Sequence, residues 1–211
     1  MAQYFEVHPQ NPQPRLLKQA VALLQGGGVL AVPTDSSYAL VCHLDDKSAA
    51  DRLRQIRRVD EKHLLTLLCR DQSELATYAR VDNKQYRLLK SATPGPYTFI
   101  LEATREVPRR VSHPQRKTIG LRVPDHKVLQ ALLELHGAPL LSTTLIDPFE
   151  QVALNDPQEI REKLQSQVAG VIGAGPCPDQ PTTVVDLVPM ATGGDAVLVR
   201  EGRGDAAVLG L

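Results

Sequence analysis

Tryptophan is absent from this chain, phenylalanine occurs three times, and aromatic residues make up 4% of it. A surface that reads single-stranded nucleic acid by stacking bases on a series of rings is therefore not expected. Cysteine is equally scarce. Cys42, Cys69 and Cys177 are odd in number and too widely spaced for a metal knuckle, so they read as reduced thiols of a cytoplasmic protein. Net charge is missing too: 24 Lys and Arg balance 24 Asp and Glu. The chain carries no bulk signal for a polyanionic partner, and any contact with a nucleotide or nucleic acid must come from a local patch. No run approaches the ~20 apolar residues of a membrane span. The opening "MAQYFEVHPQ" has neither the basic nor the apolar region of a secretory leader. The chain reads as soluble, untargeted and without a membrane partner.

The familiar catalytic signatures are also lacking. There is no Walker phosphate loop, no GxGxxG and no GxSxG elbow. "QGGGV" (25–29) precedes a strand, whereas a phosphate loop follows one and opens a helix, so these glycines read as a helix stop. His8, His43, His63, His113, His126 and His136 have no ligand spacing, which argues against zinc. No metal site and no organic cofactor are expected.

What is present is an α/β pattern. At 211 residues and 42% hydrophobic content the chain can bury one sizeable core, and a single domain over 1–211 is the expectation. The spacing of Leu16, Leu17, Ala20, Leu23 and Leu24 predicts a helix ending at the three glycines. Further helices are predicted after a cap near Asp46, near 72–79 and 83–90, over 125–137, and after Asp156. At that last start Asp156, Pro157 and Glu159 suggest a capping box. Strands are predicted at the extended start 4–7, "VLAVP", "LLTLLC", "YTFILE", "TIGLRVP", "PLLST", "VAGVI", "TTVVDLV" and "AVLVR". Alternating helices and strands, with many strands late, point to a mixed sheet.

Polar residues gather at the ends of these strands, where open α/β sheets bind ligands. They are Thr34 to Ser37, Thr98, Thr118 with Arg122, Ser142 to Thr144, Thr182 with Thr183, and Arg200. One such group is an ordinary turn or cap; six argue for a shared cleft. Hydroxyls and arginines together suit an anionic ligand needing many hydrogen bonds, such as a nucleotide. Two basic runs stand out. Arg52, Arg54, Arg57 and Arg58 lie along one predicted helix end, and Arg105, Arg109, Arg110, Arg116, Lys117 and Arg122 gather within 105–122. A solvated surface accounts for either run alone. Arg122 differs, because its strand neighbours imply partial burial with a specific partner.

"VLAVPTDSSYAL", "TPGPYTFIL", "TIGLRVPDH", "LLST", "PTTVVDL" and "VLVREG" occur in this order and spacing. The set resembles the YrdC/YciO family, most of all its YciO subgroup, over about residues 10 to 205. The resemblance implies a twisted open mixed sheet flanked by helices, with a large concave, positively charged cavity. It further implies a threonylcarbamoyl-adenylate synthase type of nucleotidyl transfer. L-threonine, bicarbonate and ATP with Mg²⁺ give threonylcarbamoyl-AMP and pyrophosphate, a step of tRNA threonylcarbamoyladenosine modification. By resemblance, Thr34, Tyr38, Arg122, Ser142 and Thr182 contact threonine. Arg58, His63, Thr118, Thr144 and Arg200 contact ATP, and Arg57 is catalytic. Arg105, Arg109, Arg110, Arg116 and Lys117 are candidates for tRNA or double-stranded RNA. Two family motifs are altered. "RRV" (57–59) stands over Lys-x-Arg and "TLI" (144–146) over Ser-x-Asn, so Val59 and Ile146 replace a cation and an amide. A weak or specialised synthase is expected. The alternative is an RNA-binding protein of the same fold with little or no synthase activity.

Overall fold

The computed structural model describes all 211 residues. It divides into two compact units, Met1–His63 with His126–Gln180, and Leu64–Asp125 with Pro181–Leu211. Ten strands, five in each unit, mix parallel and antiparallel pairings.

The first unit holds β1 (Gln3–Glu6), β2 (Leu30–Val32), β3 (Ala39–His43), β7 (Leu140–Thr144) and β8 (Gly170–Gly173), in the order β1-β8-β2-β3-β7. Its helices are α1 (Pro14–Gln25), α2 (Lys47–Arg57), α5 (Lys127–His136) and α6 (Pro157–Leu164). In α1 three residues of the predicted apolar stripe, Leu17, Ala20 and Leu24, are buried and Val21 joins them, while Leu16 and Leu23 are only half-buried. Each large side chain so buried is worth roughly 1.5–3 kcal/mol. The glycines do end this helix. Gly27 adopts φ +83°, a conformation side chains resist, and a Cβ on Gly28 would lie 2.7 Å from the Leu23 carbonyl and 2.8 Å from Ala169.

The second unit holds β4 (Thr66–Leu68), β5 (Tyr97–Glu102), β6 (Thr118–Arg122), β9 (Thr183–Asp186) and β10 (Val197–Arg200), in the order β4-β6-β5-β9-β10. Helices α3 (Gln72–Tyr78) and α4 (Asn83–Ala92) accompany it. Because side chains alternate across a strand, the register sorts this sheet into two faces. Leu67, Phe99, Leu101, Ile119, Leu121 and Val185 form an apolar face that is fully buried. The opposite face carries Thr66, Thr98, Thr118, Gly120, Arg122, Val184 and Asp186.

Three local expectations need correction. β3 was not foreseen as a strand, because its residues follow the Thr34–Ser37 turn and carry no boundary signal of their own; pairing with β2 and β7 creates it. Asp156 does cap α6, accepting from the Gln158 and Glu159 amides, but Glu159 turns away to Lys163 at 3.1 Å rather than closing a capping box. The reciprocal box forms instead at α4, between Asp82 and Gln85. Finally, α5 begins at Lys127, with His126 as its N-cap, two residues later than expected.

Candidate functional site

In the first unit the turn after β2 is built by one hydroxyl. Thr34 Oγ1 donates to the Ser37 carbonyl at 2.6 Å and accepts from the Ser36 and Ser37 amides at 3.0 and 3.2 Å. Such side-chain turns let a chain reverse without a glycine. Thr34, Ser36 and Ser37 are all buried. Tyr38 has no exposed surface, and its hydroxyl donates to the Gly175 carbonyl at 3.0 Å. Burial pushes that phenol far above its usual pKa, so it stays protonated. Tyr38 thus walls this end of β3 by packing. Its own carbonyl accepts from the Leu145 amide at 2.9 Å, which ties the turn to the end of β7.

The β3–β7 register pairs Ala39 with Thr144 and Val41 with Ser142. Ser142 and Thr144 therefore share one face, and Thr143 lies on the other. It is Thr143 that meets His63: the His63 Nε2 and Thr143 Oγ1 atoms are 2.9 Å apart. Burial, then the nearby Arg57 and Arg54, hold the His63 pKa below its ordinary value, opposed by Asp60. The imidazole is therefore neutral at physiological pH.

The basic run of α2 is not a uniform solvated surface. Arg52 and Arg58 are exposed, but Arg54 and Arg57 are more than nine-tenths buried. Spacing explains the division: Arg54 and Arg57 are three apart and adjoin Leu53 and Ile56 on the inward side of the helix. Arg57 Nη1 donates to the Ile146 carbonyl at 2.8 Å, and Arg54 Nη1 lies 3.7 Å from Asp51. The Nε–H of each arginine has no protein acceptor. A buried N–H without a protein partner is costly, more so on a cation, unless water, an ion or a ligand completes it. Desolvation draws the Arg57 pKa down. Arg58 caps α2 with φ 52° and lays its guanidinium over the Phe149 ring, 4.1 Å from the centroid.

In the second unit the expected residues share the half-open face of the sheet. A Cβ on Gly120 would sit 3.2 Å from Thr66 Oγ1 and 3.4 Å from Thr98 Cγ2, so the missing side chain lets two threonines approach. Thr98 Oγ1 and Thr182 Oγ1 are 2.9 Å apart. Arg200 donates to the Thr182 carbonyl at 2.9 and 3.2 Å and to its hydroxyl at 3.2 Å, and desolvation lowers its pKa. Thr118 and Arg122 are buried on β6, two positions either side of Gly120. The partial burial read for Arg122 from its strand neighbours is thus found. Arg105, Arg109, Arg110, Arg116 and Lys117 all lie exposed on the β5–β6 connection, where Arg116 pairs with Asp186 of β9. No group of three His, Cys, Asp or Glu side chains able to hold a metal ion is present. No helix is long and apolar enough to cross a membrane.

The Sua5/YciO/YrdC family model, described as telomere recombination, matches residues 22–202. The chain belongs to this family. It is 51% identical over 205 residues to YciO of Escherichia coli, covering 97% of this chain and 98% of that one. The E. coli YciO crystal structure superposes with a TM-score of 0.93 at 49% identity, covering 99% of this chain and 100% of that one. Among family members with a named activity, the threonylcarbamoyl-AMP synthase of Homo sapiens is 31% identical over 176 residues, covering 81% of this chain and 62% of the synthase. Within this Sua5/YciO/YrdC chain, sequence reasoning named Arg54 only in a run a solvated surface could explain, and missed its burial and the part played by Thr143. Helical spacing beside Leu53 could have found the first. No local signal announces the second, whose partner is 80 positions away.

Proposed function

We propose that this chain is a nucleotidyltransferase of the threonylcarbamoyl-AMP synthase type, slowed or redirected by Val59 and Ile146. The observation that carries the reading is the pair of buried arginines, Arg54 and Arg57, each with an unpartnered Nε–H, beside the neutral His63–Thr143 pair. Two guanidinium groups held away from water suit a polyphosphate, whose oxygens would complete their hydrogen bonding. The substrate is taken as the Mg²⁺ complex of ATP, with the metal carried on the phosphates, since no protein cluster suits it.

In this reading the carbamate of L-threonine, formed with bicarbonate, attacks the α-phosphorus of ATP, and the bond to pyrophosphate breaks. Two anions must meet, so charge neutralisation and positioning matter more than a nucleophilic side chain. Arg57, with Arg58 and His63, serves the phosphates. The other family assignments are kept unit by unit: in the first unit Thr144 goes with the nucleotide and Ser142 with threonine, and in the second Thr118 and Arg200 go with the nucleotide and Arg122 and Thr182 with threonine. Thr34 and Tyr38 act through the turn they hold. Pyrophosphate release from ATP, measured with and without threonine and bicarbonate, tests the proposal. Release should require both and should fall by about 10²-fold in Arg57→Gln, the cost of one electrostatic donor. ATP binding without any threonine-dependent release would overturn it. A second reading, RNA binding without synthesis, is favoured by the exposed cations of the β5–β6 connection.

A further inference from the structure

Two of the three phenylalanines, Phe5 and Phe99, are buried at 1% and 0% exposure, whereas Phe149 is 72% exposed. Phe149 is the one phenylalanine left in water, and Tyr86 is the other exposed aromatic ring, at 45%. Phe149 does not dangle. It sits on a short hairpin closed by the Ile146–Ala153 bridge and by the Asp147 amide donating to the Val152 carbonyl at 2.8 Å. Asp147 Oδ1 accepts from the Phe149 and Glu150 amides at 2.8 and 3.1 Å, and Asp147 Oδ2 lies 2.9 Å from Lys163 Nζ. The base of the hairpin is held in turn by Arg57, through the Ile146 carbonyl.

One face of the ring is taken by the Arg58 guanidinium. The other is available to a ligand, and the surroundings restrict which kind. A second cation would be repelled by Arg58 and its neighbours Arg57 and Arg54. A ligand that is planar and neutral at the ring yet anionic a short way off matches both features, and a nucleotide is that ligand. We propose that Phe149, backed by Arg58, is the stacking platform for the nucleobase whose phosphates meet Arg54, Arg57 and His63. The proposal rests on the nucleotide reading above and adds the element that tells a nucleotide from bare polyphosphate.

The absence of tryptophan supplies the test. Phe149→Trp makes a single-tryptophan protein whose fluorescence should change on adding ATP and stay constant on adding tripolyphosphate. By calorimetry, Phe149→Ala should weaken ATP binding by roughly tenfold, the range for loss of one base stack, and leave tripolyphosphate affinity within about twofold. An equal loss for both ligands would show that Phe149 acts only through Arg58, and an unchanged ATP affinity would show that the base lies elsewhere; either overturns the proposal alone. If neither ATP nor tripolyphosphate binds the wild-type protein, the nucleotide reading falls and the platform with it.

Discussion

His63 is the residue whose charge the surroundings leave most open to a ligand. Its pKa in the folded protein is lowered by burial and by Arg57 and Arg54. Two opposite pH effects follow. For stability, the unfolded chain takes up a proton near the ordinary histidine value while the folded chain resists it. The folded state therefore loses stability as pH falls from about 6.5 toward the lowered folded value. For binding, a polyphosphate beside the ring favours the imidazolium and raises its pKa, so binding takes up a proton and tightens as pH falls through the same window. ATP affinity by calorimetry should rise between pH 7.5 and 5.5, and His63→Asn should flatten the profile. A wild-type profile already flat would place the phosphates away from His63.

The hairpin after β7 is an element defined by one carboxylate. Asp147 is buried, caps two amides and meets Lys163, itself within 3.3 Å of Glu150 and 3.1 Å of Glu159. The Lys163 ammonium and the two amides hold the Asp147 pKa at about 2. Because that lies below the unfolded value, the stabilisation is fully present above about pH 4 and is lost as pH falls toward 2. Asp147→Ala removes the cap and leaves the two amides without an acceptor, a loss of about 1–3 kcal/mol at pH 7. Asp147→Asn retains an oxygen for the cap and should lose less. Unfolding curves at pH 7 and pH 3 decide: the gap between wild type and Asp147→Asn should narrow in acid, and a constant gap would mean that the carboxylate charge contributes nothing.

Across the whole molecule the charges cancel, yet five cations sit exposed along one connection. If duplex RNA binds there, it binds through phosphates, and counterion release makes affinity fall steeply with salt. Each phosphate neutralised adds about −0.9 to the slope of log affinity against log salt, a value set for B-form DNA. Replacing Arg105, Arg109 and Arg110 together by alanine should make the measured slope shallower by up to about 2.7. Salt-independent or base-specific binding would count against an electrostatic surface.

The elements whose signals are local were legible. The Leu17–Leu24 stripe, the caps Asp46 and Asp156, and the glycine stop after Gln25 need only neighbours within a turn or two, and all are found in place. The ordered motifs likewise identified the family. The sequence by itself thus determined the helices and the strands other than β3, and which strand ends are polar. Only the tertiary structure decided which of those groups meet. The β3–β7 register turned Thr143, not Thr144 or Ser142, toward His63, because a strand sends successive side chains to opposite faces. Packing of α2 made two of its three arginines interior cations, and the hairpin after β7 left Phe149 in water above its C-cap arginine, Arg58. These pairings join residues tens of positions apart, and no local propensity encodes a distance of that length.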